Sequence, residues 1–82
     1  MGNVDNLVEK FHQGAGPQPF FEVKKVCDHF FGPPRVRGSH MIYRTPWWGD
    51  PRINIQNRNG EVPLYQVKQV LKALARLEED HV

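Results

Sequence analysis

The chain has 82 residues, 39% of them hydrophobic and 24% charged, the make-up of one small soluble globular domain. No apolar run nears the roughly 20 residues of a bilayer span, and Met1 to Lys10 lacks the basic-then-apolar layout of a secretory leader. A single cysteine, Cys27, excludes an internal disulfide, so a cytoplasmic setting is expected. The net charge of +2 is unevenly spread. Seven basic residues (Lys24, Lys25, Arg35, Arg37, Arg44, Arg52, Arg58) meet only Asp28 and Asp50 in the middle of the chain, while acids gather at Asp5 to Glu9 and Glu78 to Asp80. A basic middle suits a polyanion such as nucleic acid.

Val4, Leu7, Val8 and Phe11 recur at helical spacing, with Asn3 or Asp5 able to cap the start. Gly14 to Pro19 then reads as a linker, since glycine and proline break regular structure. Phe20, Val23, Cys27 and Phe30 predict a second helix from Phe20 to Phe31, stopped by Gly32-Pro33-Pro34. Three β-prone stretches follow: Arg35 to Arg37, Met41 to Arg44 and Arg52 to Gln56. Gly38-Ser39 makes the first connection, Thr45 to Pro51 a longer loop holding Trp47 and Trp48, and Asn57 to Gly60 a turn. Val67, Val70, Leu71, Leu74 and Leu77 form the apolar stripe of a last helix, and Lys68, Lys72 and Arg76 stand on another face. The order α-α-β-β-β-α predicts a two-layer α+β domain. Residues 1–13 are expected to be a helical extension, 14–19 a linker, 20–77 the core and 78–82 a tail.

Few residues suit chemistry. His12, His29, His40 and His81 do not stand at metal-ligand spacings, and one cysteine cannot build a structural zinc site. There is no glycine-rich phosphate loop and no nucleophile elbow around Ser39, the single serine. No cofactor is therefore expected. His40 follows a Gly-Ser turn, with Arg35, Arg37 and Arg44 nearby. Imidazole exchanges a proton near neutral pH, and RNA self-cleavage needs little more than that and cations to stabilise the charge that develops. Periodicity alone also allows His40 to be an ordinary solvent-facing strand residue.

Arg37-Gly38-Ser39-His40-Met41-Ile42-Tyr43-Arg44 resembles the Gly-Ser-His-His-aromatic block of HicA-like toxins, the toxic halves of HicA–HicB pairs. Ile53-Asn54-Ile55-Gln56-Asn57 with Gly60, and Tyr65 to Leu71, are similar to the third strand and last helix of one branch of that family. The resemblance spans residues 20 to 75 in unbroken order. It implies a double-stranded-RNA-binding-like α-β-β-β-α fold and metal-independent cleavage of messenger RNA. It makes His40 the catalytic residue, and implies inhibition by a HicB-like antitoxin that covers the site. The free chain is then expected to be a monomer, and the inhibited form a hetero-oligomer with the antitoxin. Three departures are evident: Met41 replaces a second histidine, Leu64 stands where a proline usually opens the last helix, with Pro63 one place early, and the Pro46-Trp47-Trp48-Gly49-Asp50-Pro51 loop is unusually bulky.

On this reading RNA is held by Arg35, Arg37, Ser39 and Arg44 around His40, with Lys24, Lys25 and Lys68 as further phosphate contacts. One tryptophan is expected to close the core, and the other to meet RNA or the antitoxin. The alternatives are a non-catalytic RNA-binding module of the same fold and a protein-interaction domain.

Overall fold

The computed structural model describes residues 3–48 and 52–80. The end of the expected Thr45–Pro51 loop, with Asp50, and the last two tail residues, with His81, lie outside the described residues. The elements run α1 (Val4–Gln13), β1 (Gln18–Pro19), α2 (Phe20–Phe31), β2 (Arg35–Arg37), β3 (His40–Tyr43), β4 (Ile53–Gln56), β5 (Glu61–Val62) and α3 (Leu64–Asp80).

Helix α1 begins where Asn3 accepts the backbone N–H of Asn6 at 2.9 Å, satisfying one of the donors every helix start leaves open. Leu7 and Phe11, four residues apart, bury one face of α1 in the same cluster as the rest of the core. Lys10 Nζ bonds Glu22 Oε1 at 2.5 Å and ties α1 to α2. The amino-terminal helix is thus part of the core and not an appendage to it.

Strands β2, β3 and β4 form an antiparallel sheet in that order, with Arg37 opposite His40, His40 opposite Gln56 and Ile42 opposite Asn54. The β2–β3 connection is the two residues Gly38-Ser39, and Gly38 takes φ 58, a left-handed conformation that residues with a side chain rarely adopt. Asn59 and Gly60 both take positive φ, and Arg58 and Glu61 exchange both backbone bonds across them, as in an Asn-Gly hairpin turn.

The sheet's inner face presents Tyr43, Ile53 and Ile55 to Val23, Val26 and Cys27 of α2 and to Val67 and Val70 of α3, all buried. This is a two-layer α+β domain with the helices on one side of the three-stranded sheet. At the edge of the core the Tyr43 hydroxyl donates to Asp28 Oδ1 at 2.6 Å, and half-buried Lys24 Nζ donates to Asp28 Oδ2 at 2.8 Å.

Three expectations need correction. The 14–19 linker is partly structure: Gln18 and Pro19 pair with Val62 and Glu61, and Gln18 is buried. Proline is tolerated there because a two-residue strand asks few N–H donations of it. Phe30, expected on the buried stripe of α2, is partly exposed, and Val26 takes the core position instead. The expected tail from residue 78 is still helix through Asp80. Among the described residues, no helix is long and apolar enough to cross a membrane.

Candidate functional site

Side chains alternate across a strand. Because Tyr43, Ile53 and Ile55 point inward, His40, Ile42, Asn54 and Gln56 point to the outer face, away from the helices. Their partners on β2, Arg35 and Arg37, share that face. Arg44 and Arg52 join Arg35 and Ile42 around one shallow hollow, floored also by Pro33 and Pro34. Arg58 Nε donates to Gln56 Oε1 at 3.2 Å. The outer face therefore carries arginines at both ends: Arg37, opposite His40, and Arg58, bound to Gln56, at the His40 end, and Arg35, Arg44 and Arg52 around the hollow, where none of the described lining residues is acidic.

His40 is half-buried, and its Nδ1 lies 3.0 Å from Asn54 Oδ1. A carbonyl oxygen only accepts, so a bond to Asn54 Oδ1 requires the hydrogen on Nδ1, the tautomer whose lone pair is on Nε2. The bond also fixes the plane of the imidazole. This constellation suits proton abstraction next to a phosphate, with guanidinium groups at hand for the negative charge.

The expected RNA contacts divide into two groups. Arg35, Arg37 and Arg44 share the outer face with His40, and exposed Ser39 sits in the hairpin turn beside it, its carbonyl accepting from Asn57 N at 2.9 Å. Lys24, Lys25 and Lys68 belong to the helix layer. Lys24 is bound to Asp28, which takes the inward-pointing Tyr43 hydroxyl, so it stands on the other side of the sheet from His40. Lys25 and Lys68 are exposed on α2 and α3.

Trp47 packs against the core, with the Arg76 guanidinium carbon 4.4 Å from its ring centroid, whereas Trp48 is 99% exposed. Burial pushes the Cys27 thiol up to about 12, with the neighbouring Asp28 charge adding to it. Burial likewise raises the Tyr43 hydroxyl, reinforced by its hydrogen bond to Asp28. Neither group is a ready nucleophile at neutral pH. Among the described residues, no three His, Cys, Asp or Glu side chains gather as a metal site.

Sequence reasoning missed Asn54, Gln56, Arg52 and Arg58. The alternation Ile53-Asn54-Ile55-Gln56 was the available signal for an outward Asn54, but its meeting with His40 depends on a register between residues 14 apart. Comparison with protein-family models, curated proteins and solved structures finds no match to this chain.

Proposed function

We propose that this chain is a HicA-like toxin: a metal-independent endoribonuclease of the cytoplasm that cleaves messenger RNA through His40 and is silenced by a HicB-like antitoxin. The observation that carries the proposal is the His40–Asn54 hydrogen bond on an arginine-lined sheet face. In this reading α2-β2-β3-β4-α3 is the double-stranded-RNA-binding-like unit, and α1 an added helix.

The reaction needs a base and a charge sink. RNA phosphates lie against the guanidinium groups of Arg35, Arg37 and Arg44, whose planar forks match phosphate oxygens. His40 Nε2 takes the proton of a 2′-hydroxyl, the 2′-oxygen bonds to the adjacent phosphorus, and the bond from phosphorus to the 5′-oxygen breaks. That oxygen takes a proton from water or from the imidazolium. The products are a 2′,3′-cyclic phosphate and a 5′-hydroxyl. Guanidinium groups stabilise the charge that grows on the phosphoryl oxygens. Ser39 offers a hydroxyl to a phosphate beside the turn, and Lys24, Lys25 and Lys68 contribute at longer range by attracting the polyanion.

The test is cleavage of single-stranded RNA by purified protein in excess chelator. The wild type should cut, and His40→Ala should lose about 10²–10⁴-fold in rate, the usual worth of a general base. Equal cutting by the variant removes His40 from the mechanism. The arginine face by itself also favours a second reading, RNA held without cutting. That reading predicts salt-sensitive binding and no product with either protein.

A further inference from the structure

We infer that the groove between the Trp47 loop and α3 seats an unstacked nucleotide of the same RNA strand that His40 cuts. The inference rests on the RNA-cleaving reading above and adds a second contact to it. The groove encloses about 570 Å³ and is lined by Thr45, Trp47, Arg52, Ile53, Lys72 and Arg76, among others.

Three features select a nucleotide over other occupants. First, the Arg76 guanidinium lies on the Trp47 indole at 4.4 Å, and a base stacks on a guanidinium plane as it does on an aromatic ring. Second, the described lining residues include three basic side chains, Arg52, Lys72 and Arg76, and one acidic one, Glu79, a charge balance that favours a phosphate over a neutral apolar ligand. Third, Arg52 lines both this groove and the hollow of the outer face with Arg35, Ile42 and Arg44. A strand leaving His40 can thus follow one basic track past Ile42 and around Arg52 to Trp47. At roughly 3.3 Å per residue, Thr45 is at most about 16 Å of chain from His40, a gap bridged by a few nucleotides.

The consequence is a length requirement. Substrates long enough to fill the groove gain affinity that shorter ones lack, and base pairing near the cut removes the gain because only an unstacked base fits.

The experiment compares kcat/KM for an RNA octamer and a trinucleotide of the same central sequence, in wild type and in the double variant Lys72→Gln, Arg76→Gln. Both positions are exposed, and because Arg76 lies on Trp47 an unchanged thermal midpoint of the variant is the control. The octamer should be preferred about tenfold by the wild type, the contribution of one stacked base, and by less than about twofold in the variant. An undiminished preference in the variant overturns the groove. If the wild type cuts neither RNA, the catalytic reading fails, and the groove is judged separately by Trp47 fluorescence in a Trp48→Phe background. Quenching by the octamer that disappears with Lys72→Gln, Arg76→Gln then upholds the groove; no quenching refutes it.

Discussion

The two faces of the three-stranded sheet are made by alternate residues of the same three strands, yet they answer to different physics. The inner face carries Tyr43, Ile53 and Ile55, each nearly or wholly removed from water, and its role is to exclude solvent and fix the helices. Neighbours one residue away, His40, Ile42, Asn54 and Gln56, stand on the outer face among arginines. They add little to burial and concentrate the polar chemistry. The contrast teaches that the period of two gives stability to one set of positions and leaves the other free for function.

Adjacent residues of β4 break the comparison most sharply. Ile55→Ala removes a fully buried side chain and should cost about 2–5 kcal/mol, lowering the thermal midpoint by about 4–8 °C for each kcal/mol in a domain of this size. Calorimetry checks it, and a change under a degree would mean that Ile55 is not in the core. Asn54→Ala, one position away, should leave the midpoint nearly unchanged. It should lower the RNA-cleavage rate by about 10–100-fold, since a catalytic group left to rotate loses its productive geometry. If instead it unfolds the protein without a separate effect on rate, the division of faces is wrong.

Smaller effects sharpen the same contrast. Arg37→Ala or Arg35→Ala should each reduce the slope of log affinity against log salt by about one, as the loss of a single phosphate contact does. Lys25→Ala, in the helix layer, should change the slope less. A titration of RNA binding across salt concentrations distinguishes them.

The inner face also sets a pH dependence. The Cys27 thiol, ordinarily at 9.0, is raised to about 12 in the folded chain, and the Tyr43 hydroxyl is raised above its ordinary 10.0. Above pH 9 the unfolded chain therefore loses these protons first and binds fewer than the native chain. Stability falls as pH rises, from about pH 9 toward 12, with Tyr43 adding above pH 10. Urea midpoints measured across that range should decline, and Cys27→Ala should flatten the part between pH 9 and 10.

Much of the architecture was legible in the sequence, for reasons visible in particular residues. Leu7 with Phe11, and Val67 with Val70, announce helices by spacing alone, and Gly32-Pro33-Pro34 and Asn59-Gly60 mark stops and turns with known backbone needs. The β1–β5 pair was hidden because two-residue strands carry no period and Gly-Pro-Gln-Pro reads as linker. Buried Gln18 and Gln66 were hidden too, since a polar residue goes inside only when a partner exists: Gln66 Oε1 accepts the Gln56 N–H at 2.7 Å. In the candidate site, His40 and its flanking arginines were marked by local order. Asn54 was not, because its bond to His40 exists only once β3 and β4 are in register.

In the proposed mechanism His40, oriented by Asn54, abstracts a 2′-hydroxyl proton. Mapping the ends of RNA cut in excess chelator by wild type and His40→Ala tests it most directly. The wild type should leave 2′,3′-cyclic phosphate and 5′-hydroxyl ends, and the variant almost no product. Ends bearing 5′-phosphate and 3′-hydroxyl, or the same cyclic ends at an equal rate from His40→Ala, would contradict it.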